Sequence, residues 1–289
     1  MRVCPSIHVG VMECRMARTG PEGRHLVTVK ADDADRCAEA LWRARKSRVP
    51  IPPLTDEFPD WAVPEGYAVQ QRLVERLVAE GDRIVGYKLG LTSAPMQELL
   101  KVDQPDFSPI FASGVFNDGA SLCVADFIAP RVEAEIALVL ADDLSGPDCT
   151  PAKVAAATEG LVAAIEIVDS RIADWKITIA DTIADLASGG AIALASQVVP
   201  LADMDPRLIG MVFSRDGQMV ATGAGAAALG DPLAAVSWLV NTLHGLGGSL
   251  PAGSIVMTGA LHAMQPIAAG QTWTAEFDRL GALSLRTTD

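Results

Sequence analysis

The sequence lacks the long apolar segments that a membrane protein needs. A transmembrane helix takes roughly 18–20 consecutive apolar residues, and the longest apolar runs here, LVAAIEIV and GGAIALAS, have the length of single strands. Positive charge is also scarce, because 23 lysines and arginines stand against 36 aspartates and glutamates and leave a net charge of −13. We therefore expect neither a membrane nor a nucleic acid as a partner.

Cysteine and histidine are few and are not spaced as metal ligands. The five cysteines are scattered and odd in number, and the sequence contains no CxxC pair or Cys/His metal spacing. The N-terminal segment contains no continuous apolar stretch of about 7–15 residues of the kind found in a signal peptide. These absences predict reduced thiols and a cytoplasmic location. None of the four histidines lies close in sequence to position 133 or in the segment 88–106.

Three segments of the chain differ in composition. Residues 1–30 carry four arginines and no periodic apolar pattern, which predicts a poorly ordered extension. Residues 31–112 contain helix signals and form a predicted helical N-terminal part, whereas residues 113–289 form a predicted β-rich domain. Charged helix ends and early prolines predict the N-terminal helices. These predicted helices cover 32–48, 64–81 and 92–100.

Strand signals dominate the second half of the chain. Apolar runs rich in branched residues predict strands over 132–140, 161–168, 190–198, 208–214, 254–257, 272–277 and 282–286. The sequence SRDGQ at 214–218 predicts a hairpin turn, and two helices are predicted over 178–187 and 231–247. Because strands outnumber helices and do not alternate with them, the predicted fold class is α+β. We expect a mostly antiparallel sheet or barrel with a helical N-terminal part, rather than a doubly wound sheet.

Three glutamates lie in otherwise apolar strands. Glu133 and Glu135 belong to PRVEAEIALVLA, and Glu166 belongs to LVAAIEIVDSR. Residues i and i+2 of a strand point to the same face, roughly 6–7 Å apart, and glutamate is rarely buried unless it is paired. A shared hard cation such as Mg²⁺, Mn²⁺ or Ca²⁺ would neutralise all three. Buried salt bridges to Arg131 and Arg171 would also do so, and the residues alone leave both possibilities open.

Four motifs occur together in one order: GYKLGLTSAPMQ followed by VDQPDF, PRVEAEIALVL, EIVDSRIADWKI followed by DTIAD, and TGAGAAALGDPLAAVSWLVNTL. Together they resemble the 2-hydroxypenta-2,4-dienoate (2-keto-4-pentenoate) hydratases and 4-oxalocrotonate decarboxylases of aromatic meta-cleavage pathways. That group lies within the fumarylacetoacetate hydrolase superfamily. The resemblance covers about residues 35–288 and implies the superfamily's β-rich metal-binding catalytic domain.

The resemblance implies roles for particular residues of this chain. The implied Mg²⁺ or Mn²⁺ ligands are Glu133, Glu135 and Glu166. The implied catalytic residues are Lys88, Asp106 and Ser188. The expected substrate-binding residues are Ile136, Leu186, Thr258 and Gly259.

One position departs from the family's pattern. The family usually reads Asp-Thr-x-Ala-Asp-Asn-Ala-Ser, and this chain reads DTIADLAS, with Leu186 in place of the amide. If Leu186 lies beside the substrate, the pocket favours monoacid dienoates over longer diacids. Superfamily members that hydrolyse C–C bonds have a His/Glu pair that activates water, and no histidine here is an evident candidate. His262, after the TGAL sequence, is equally consistent with a pocket rim and with a plain loop.

The resemblance implies a hydratase that adds water to a 2-hydroxy-2,4-dienoate and forms a 4-hydroxy-2-oxoacid. In this mechanism Lys88 offsets negative charge or donates a proton, and Asp106 is its partner or a general base. Two alternatives remain: decarboxylation of 4-oxalocrotonate, and a non-catalytic hydratase-like subunit. The expected partners are a small 2-oxoacid or dienoate substrate, further copies of the chain in a homo-oligomer, and a decarboxylase or aldolase of the same pathway.

Overall fold

Strands outnumber helices in the computed structural model, which describes residues 29–93, 97–98, 102–202 and 204–289. Nearly all of the predicted extension 1–30 and most of the predicted helix 92–100 lie outside these residues. The helices are α1 (Ala31–Ser47), α2 (Leu54–Glu57), α3 (Val63–Ala79), α4 (Pro151–Ala157), α5 (Ile179–Ala184) and α6 (Pro232–Gly245). The strands are β1 (Ile84–Gly90), β2 (Asp106–Phe111), β3 (Val115–Asn117), β4 (Ser121–Cys123), β5 (Arg131–Leu140), β6 (Thr158–Val168), β7 (Gly189–Leu194), β8 (Gly210–Arg215), β9 (Gln218–Ala224), β10 (Ile255–Ala260), β11 (Gln265–Pro266), β12 (Thr272–Phe277) and β13 (Gly281–Thr288).

The larger sheet carries the strands with the buried glutamates. Its strand order is β2-β1-β10-β5-β6-β7-β3, and β11 pairs with β5 off this path. The central strand β5 runs antiparallel to β10 and β6. The register of β5 and β6 places Glu133 directly opposite Glu166. Both strands are buried along most of their length, which is why their sequences are nearly continuous apolar runs.

A second sheet packs onto the first. Its strand order is β4-β13-β12-β8-β9. Phe213 of β8 and Trp273 of β12 are fully buried, and their rings stack with centroids 5.2 Å apart. Both belong to one core cluster with Ile136 of β5 and Ile165 of β6, so this cluster joins the two sheets. The predicted Asp-Gly turn connects β8 to β9.

The N-terminal helices support the edge of the larger sheet. Leu41 of α1 and Leu73 of α3 are buried in a second core cluster. The helix α3 packs closely on α5, because a Cβ at Gly66 would lie 2.8 Å from the carbonyl oxygen of Ala180. The first turn of α5 is fixed by Asp181, which accepts hydrogen bonds from Thr55 and Thr178. These contacts determine where the chain emerges from α5 beside the buried glutamates.

The predicted α+β class is confirmed, with a correction to where the sheet begins. Strands β1 and β2 come from the segment 31–112, which the sequence indicates to be a helical part. The helix α4 and the strand β9 are also absent from the predicted elements. No described helix is both long and apolar enough to cross a bilayer.

Candidate metal centre and active-site cavity

The three glutamates predicted as metal ligands meet on one face of the larger sheet. Glu133 and Glu135 alternate along β5, and Glu166 extends from β6 beside them. One carboxylate oxygen from each lies within 4.8 Å of the others. Glu135 and Glu166 are each only 1% exposed, and Glu133 is half-buried.

The electrostatics of this cluster fit a divalent cation. Two buried oxygens, Oε1 of Glu135 and Oε2 of Glu166, have no hydrogen-bond partner among the described residues. Burial, followed by the negative charge of Glu166, raises the pKa of Glu133 to about 8 and raises the pKa of Glu135 well above its usual value. Close carboxylates with unpaired oxygens are the donor set that hard cations such as Mg²⁺ prefer.

The alternative of salt bridges from Arg131 and Arg171 to the glutamates is not formed among the described residues. Arg171 is engaged by Asp185, with Nε 2.5 Å from Oδ1. The guanidinium of Arg131 lies over the ring of Trp175, 4.5 Å from its centroid. Neither arginine forms an ion pair with a glutamate of the cluster in the described part of the chain, so the alternative of neutralisation by these two residues is not supported.

Lys88 is the cation that contacts the cluster. Its side chain extends from β1, and Nζ lies 3.0 Å from Oε1 of Glu166. The ammonium group also donates to the carbonyl oxygen of Ala187 at 2.8 Å. Ala187 is the middle of three consecutive residues with positive φ: Leu186 at 55°, Ala187 at 48° and Ser188 at 53°. This left-handed turn, residues 186–188, orients the carbonyl group that holds Lys88.

Asp106 forms the other polar wall of the site. It is 1% exposed, and its Oδ1 has no hydrogen-bond partner among the residues that the structure describes. Thr182 Oγ1 lies 3.5 Å from Asp106 Oδ2 and 3.3 Å from Ser188 Oγ, so one hydroxyl links the two predicted catalytic residues. Burial raises the pKa of Asp106 to about 6 against the opposing effect of Lys88. Thr182 was not among the predicted site residues.

Several of these groups line a cavity of about 530 Å³. Lys88, Asp106, Glu133, Thr182 and Ser188 provide polar groups on its wall. Much of the remaining wall is apolar, and it includes Leu89, Val168, Ile177, Leu261 and Met264. The arrangement can bind an anionic, metal-chelating head group at the polar residues and an apolar tail against the rest of the wall.

Comparison with known proteins identifies the family. The fumarylacetoacetate (FAA) hydrolase C-terminal family matches residues 84–287. The chain belongs to the fumarylacetoacetate hydrolase family. A 2-keto-4-pentenoate hydratase of Paraburkholderia xenovorans (strain LB400) is 42% identical over 249 residues, which cover 86% of this chain and 93% of that protein. A 2-hydroxyhexa-2,4-dienoate hydratase of Comamonas testosteroni is 40% identical over 253 residues, which cover 87% of this chain and 96% of that protein.

A solved structure of the family is also similar. The 4-oxalocrotonate decarboxylase from Pseudomonas putida G7, complexed with magnesium and adipate, superposes with a TM-score of 0.88 at 33% identity. The match covers 90% of this chain and 99% of the decarboxylase. The predicted resemblance to hydratases and decarboxylases of this family is therefore confirmed.

The four expected substrate-binding residues do not all line the large cavity. Gly259 donates its N–H to Glu135 Oε2 at 2.8 Å, and its φ of 110° suits only glycine. Thr258 is buried behind it and donates to the carbonyl oxygen of Ile136 at 2.8 Å. The Ile136 side chain lies in the core cluster, on the face of β5 opposite Glu135, and does not line the large cavity. Leu186 also lies off that wall. It packs with the N-terminal helices and lines a smaller cavity together with Lys88 and Glu166.

His262 has a role that the sequence could not indicate. The backbone N–H of Ala134, between Glu133 and Glu135, donates to Nε2 of His262 at 3.0 Å. Because Nε2 accepts, Nδ1 carries the proton and donates to the carbonyl oxygen of Ala263 at 2.7 Å. Burial lowers the pKa of His262, which agrees with a neutral ring. The imidazole therefore serves as an acceptor for β5 and holds the backbone between two of the glutamates.

Proposed function

We propose that the protein is a divalent-metal-dependent hydratase that converts a 2-hydroxy-2,4-dienoate into a 4-hydroxy-2-oxoacid in aromatic meta-cleavage catabolism. The relatives described above are named as hydratases of such dienoates and support this reaction. The observation that carries the proposal is the cluster of Glu133, Glu135 and Glu166, with Lys88 and Asp106 beside it, at the wall of a largely apolar cavity.

The three glutamates would hold Mg²⁺ or Mn²⁺. When bound, such an ion acts as a Lewis acid that polarises the oxygens of a chelated 2-oxoacid and stabilises its enolate form. Three carboxylates on a divalent ion leave a net charge of about −1. The buried ammonium of Lys88 lies next to this charge and favours the binding of a further anionic head group.

Asp106 and Lys88 take different roles in the proposed reaction. Lys88 is fixed by two acceptors, Glu166 and the carbonyl oxygen of Ala187, and acts as a stationary positive charge. Asp106 has an unpaired oxygen and, with a pKa of about 6, exchanges a proton near neutral pH. Hydration adds a proton at C5 of the dienoate and the hydroxyl group of water at C4, while the 2-hydroxyl group loses its proton and becomes the 2-oxo group. We therefore assign to Asp106 the delivery of the proton to C5 and the removal of a proton from the water that adds at C4. Thr182 and Ser188 extend this polar wall toward the cavity.

A decarboxylase acting on 4-oxalocrotonate is the second candidate. The solved decarboxylase has the same fold at 33% identity, and its complex contains the six-carbon diacid adipate. Decarboxylation needs a cationic subsite for a second carboxylate, and Arg131 lines the cavity here. The apolar wall favours the hydratase, because burying a carboxylate without donors costs several kcal/mol, on the order of 3–5. A non-catalytic subunit is the third candidate.

One assay distinguishes these functions. Metal-loaded protein, purified alone, is incubated with 2-hydroxypenta-2,4-dienoate, 2-hydroxyhexa-2,4-dienoate and 4-oxalocrotonate. The loss of ultraviolet absorbance is followed and the products are identified by mass. A 4-hydroxy-2-oxoacid establishes the hydratase, carbon dioxide from oxalocrotonate establishes the decarboxylase, and no turnover of any compound favours the non-catalytic subunit.

The biological setting belongs to the same proposal. We place the enzyme in the cytoplasm as a homo-oligomer that associates with a decarboxylase or aldolase of the pathway. The scattered, odd-numbered cysteines are consistent with a reducing compartment. Sedimentation of the purified chain tests the oligomer, and co-purification with the pathway's neighbouring enzymes tests the complex.

A further inference from the structure

A second cavity, of about 280 Å³, lies beside the C-terminal end of α1. None of its lining residues lines the large cavity of the metal centre. Three arginines line it: Arg45 and Arg48 from the end of α1, and Arg171 from the segment after β6. Phe116 and Phe127 add aromatic rings to its wall.

Arg45 is the unusual member of this group. Its side chain is half-buried, and it forms no hydrogen bond or ion pair with any described residue. Burial, and then the neighbouring charge of Arg171, lower the pKa of Arg45 to about 10. A guanidinium group nevertheless remains charged at neutral pH. Burying a charged group without a partner costs free energy. A bound anion beside Arg45 would offset this cost.

The acidic groups near the cavity do not supply that anion. Asp185 is engaged by Arg171, which neutralises both. Asp169 lines the cavity, but its carboxylate accepts the backbone N–H groups of Ile128 and Ala129, the shortest contact being 2.8 Å. Asp126 is exposed to solvent, as is Arg48. Arg45 therefore has no direct acidic partner among the described residues, and only the more distant charges of Asp185 and Asp82 act on it.

We propose that this cavity is a binding site for a small oxyanion, a carboxylate or phosphate group, with Arg45 as its principal ligand. A guanidinium offers two parallel N–H groups that match the oxygens of either anion. Arg48 adds a second positive charge at the solvent side, and the two phenylalanine rings accept an apolar body attached to the anionic group. The site adjoins the metal centre, because Arg45 also lines a small cavity together with Lys88 and Glu166. It shares no lining residue with the large cavity, and its occupation does not depend on the reaction proposed above.

The test measures binding of sulfate and malonate to the full-length, metal-stripped protein. Thermal unfolding and titration calorimetry are carried out against sodium chloride at matched ionic strength, which controls for screening. Saturation at low concentration separates site binding from the non-specific stabilisation that sulfate gives by exclusion from the protein surface. We expect saturable stabilisation by at least one of the two anions beyond that given by chloride. Arg45→Met should weaken this binding at least about tenfold. Arg43→Met is the matched control, because Arg43 lies on the same helix and is exposed and paired with Glu39 at 2.8 Å.

Three results would overturn the site. The first is a wild-type response no greater than that to chloride, and the second is an equal response in Arg45→Met. The third is loss of the response in Glu135→Gln, which would place the anion at the metal centre. If Arg45→Met does not fold, Arg45→Lys replaces it. Lysine keeps the charge but loses the two-pronged contact, so unchanged binding in that variant would also contradict the proposal.

Discussion

Lys88 of β1 and Glu166 of β6 form a buried ion pair, with 3.0 Å between Nζ and Oε1, although β10 and β5 lie between their strands in the sheet. Neighbouring strands are about 4.8 Å apart, so three spacings would separate the two backbones by roughly 14 Å in a flat sheet. The two long side chains therefore span most of this separation. The charge of Lys88 reaches the acidic cluster across the two intervening strands, β10 and β5.

Replacing Glu135 with glutamine should abolish activity without unfolding the protein. The substitution preserves volume but removes one anionic ligand and one source of repulsion within the cluster. We expect Mn²⁺ affinity to fall by at least about 100-fold, and the metal-free variant to be at least as stable as wild type. Calorimetric titration with Mn²⁺ and thermal unfolding measure both effects. Glu276→Gln, an exposed change on β12, is the control. An active Glu135→Gln enzyme would refute the metal assignment.

The stability of the metal-free protein should decrease as the pH rises from 6 to 9. The pKa of Glu133 is raised to about 8, so the folded state holds a proton that the unfolded chain has already released. Stabilisation by that proton is complete below the unfolded pKa and is lost as the pH passes through the folded value. We expect the melting temperature to fall by about 4 °C over this range. Saturating Mg²⁺ should remove most of this dependence, and identical profiles with and without Mg²⁺ would count against the cluster as the binding site.

Thr182→Val should slow catalysis through Asp106. The substitution keeps the shape of the side chain but removes the hydroxyl that lies between Asp106 and Ser188. We expect kcat to fall about tenfold, the value for one hydrogen bond to a charged group, with little change in KM. The acid limb of the pH profile should shift. Thr182→Ser, which restores the hydroxyl, should recover most of the rate, and failure to recover would indicate a packing role instead.

His262→Phe should weaken metal binding from a distance. The His262 and Phe213 rings are tilted with their centroids 4.8 Å apart. Phenylalanine retains this ring contact but cannot accept the N–H of Ala134. The backbone between Glu133 and Glu135 then loses its partner. We expect Mn²⁺ affinity to fall about tenfold, as for other groups that orient metal ligands. His244→Phe, at an exposed position on α6, should leave the affinity unchanged.

Leu186→Asn tests the predicted link between this residue and substrate choice. The side chain is 3% exposed and packs in the cluster of the N-terminal helices. We therefore expect an unchanged ratio of kcat/KM between a monoacid dienoate and a diacid. Loss of the buried leucine should destabilise the fold by roughly 2 kcal/mol after the better fit of asparagine to a positive φ is included. A shift of the ratio toward the diacid would show that Leu186 acts on the substrate.

The sequence indicated candidate site residues where a charged residue interrupts the apolar pattern of a strand. Glu133, Glu135 and Glu166 could be found because charged residues interrupt apolar strands, and the resemblance supplied Lys88 and Asp106. The pairing of β1 with β10 could not be found in this way, because a strand's periodicity does not identify its neighbour. Thr182 was missed because a single hydroxyl in a short helix has no distinguishing pattern.

Backbone conformation accounts for the remaining difference. The departure at Leu186 invites an interpretation in terms of side-chain polarity. The structure adds two facts that the sequence does not contain, a positive φ there and packing of the side chain with the N-terminal helices. A left-handed turn without glycine has no local sequence pattern that predicts it, because such a turn forms only when the surrounding packing imposes it.

The left-handed turn at residues 186–188 lowers the stability of the fold, while it positions a residue of the active site. Each non-glycine residue in the left-handed region costs on the order of 1 kcal/mol, and this cost is offset by backbone bonds such as that from Asp169 N to Ser188 O at 2.8 Å. Glycine at position 187 would remove part of this free-energy cost and raise the melting temperature. The same change would loosen the carbonyl group that fixes Lys88. Selection for thermal resistance and selection for turnover should therefore favour different residues at this position.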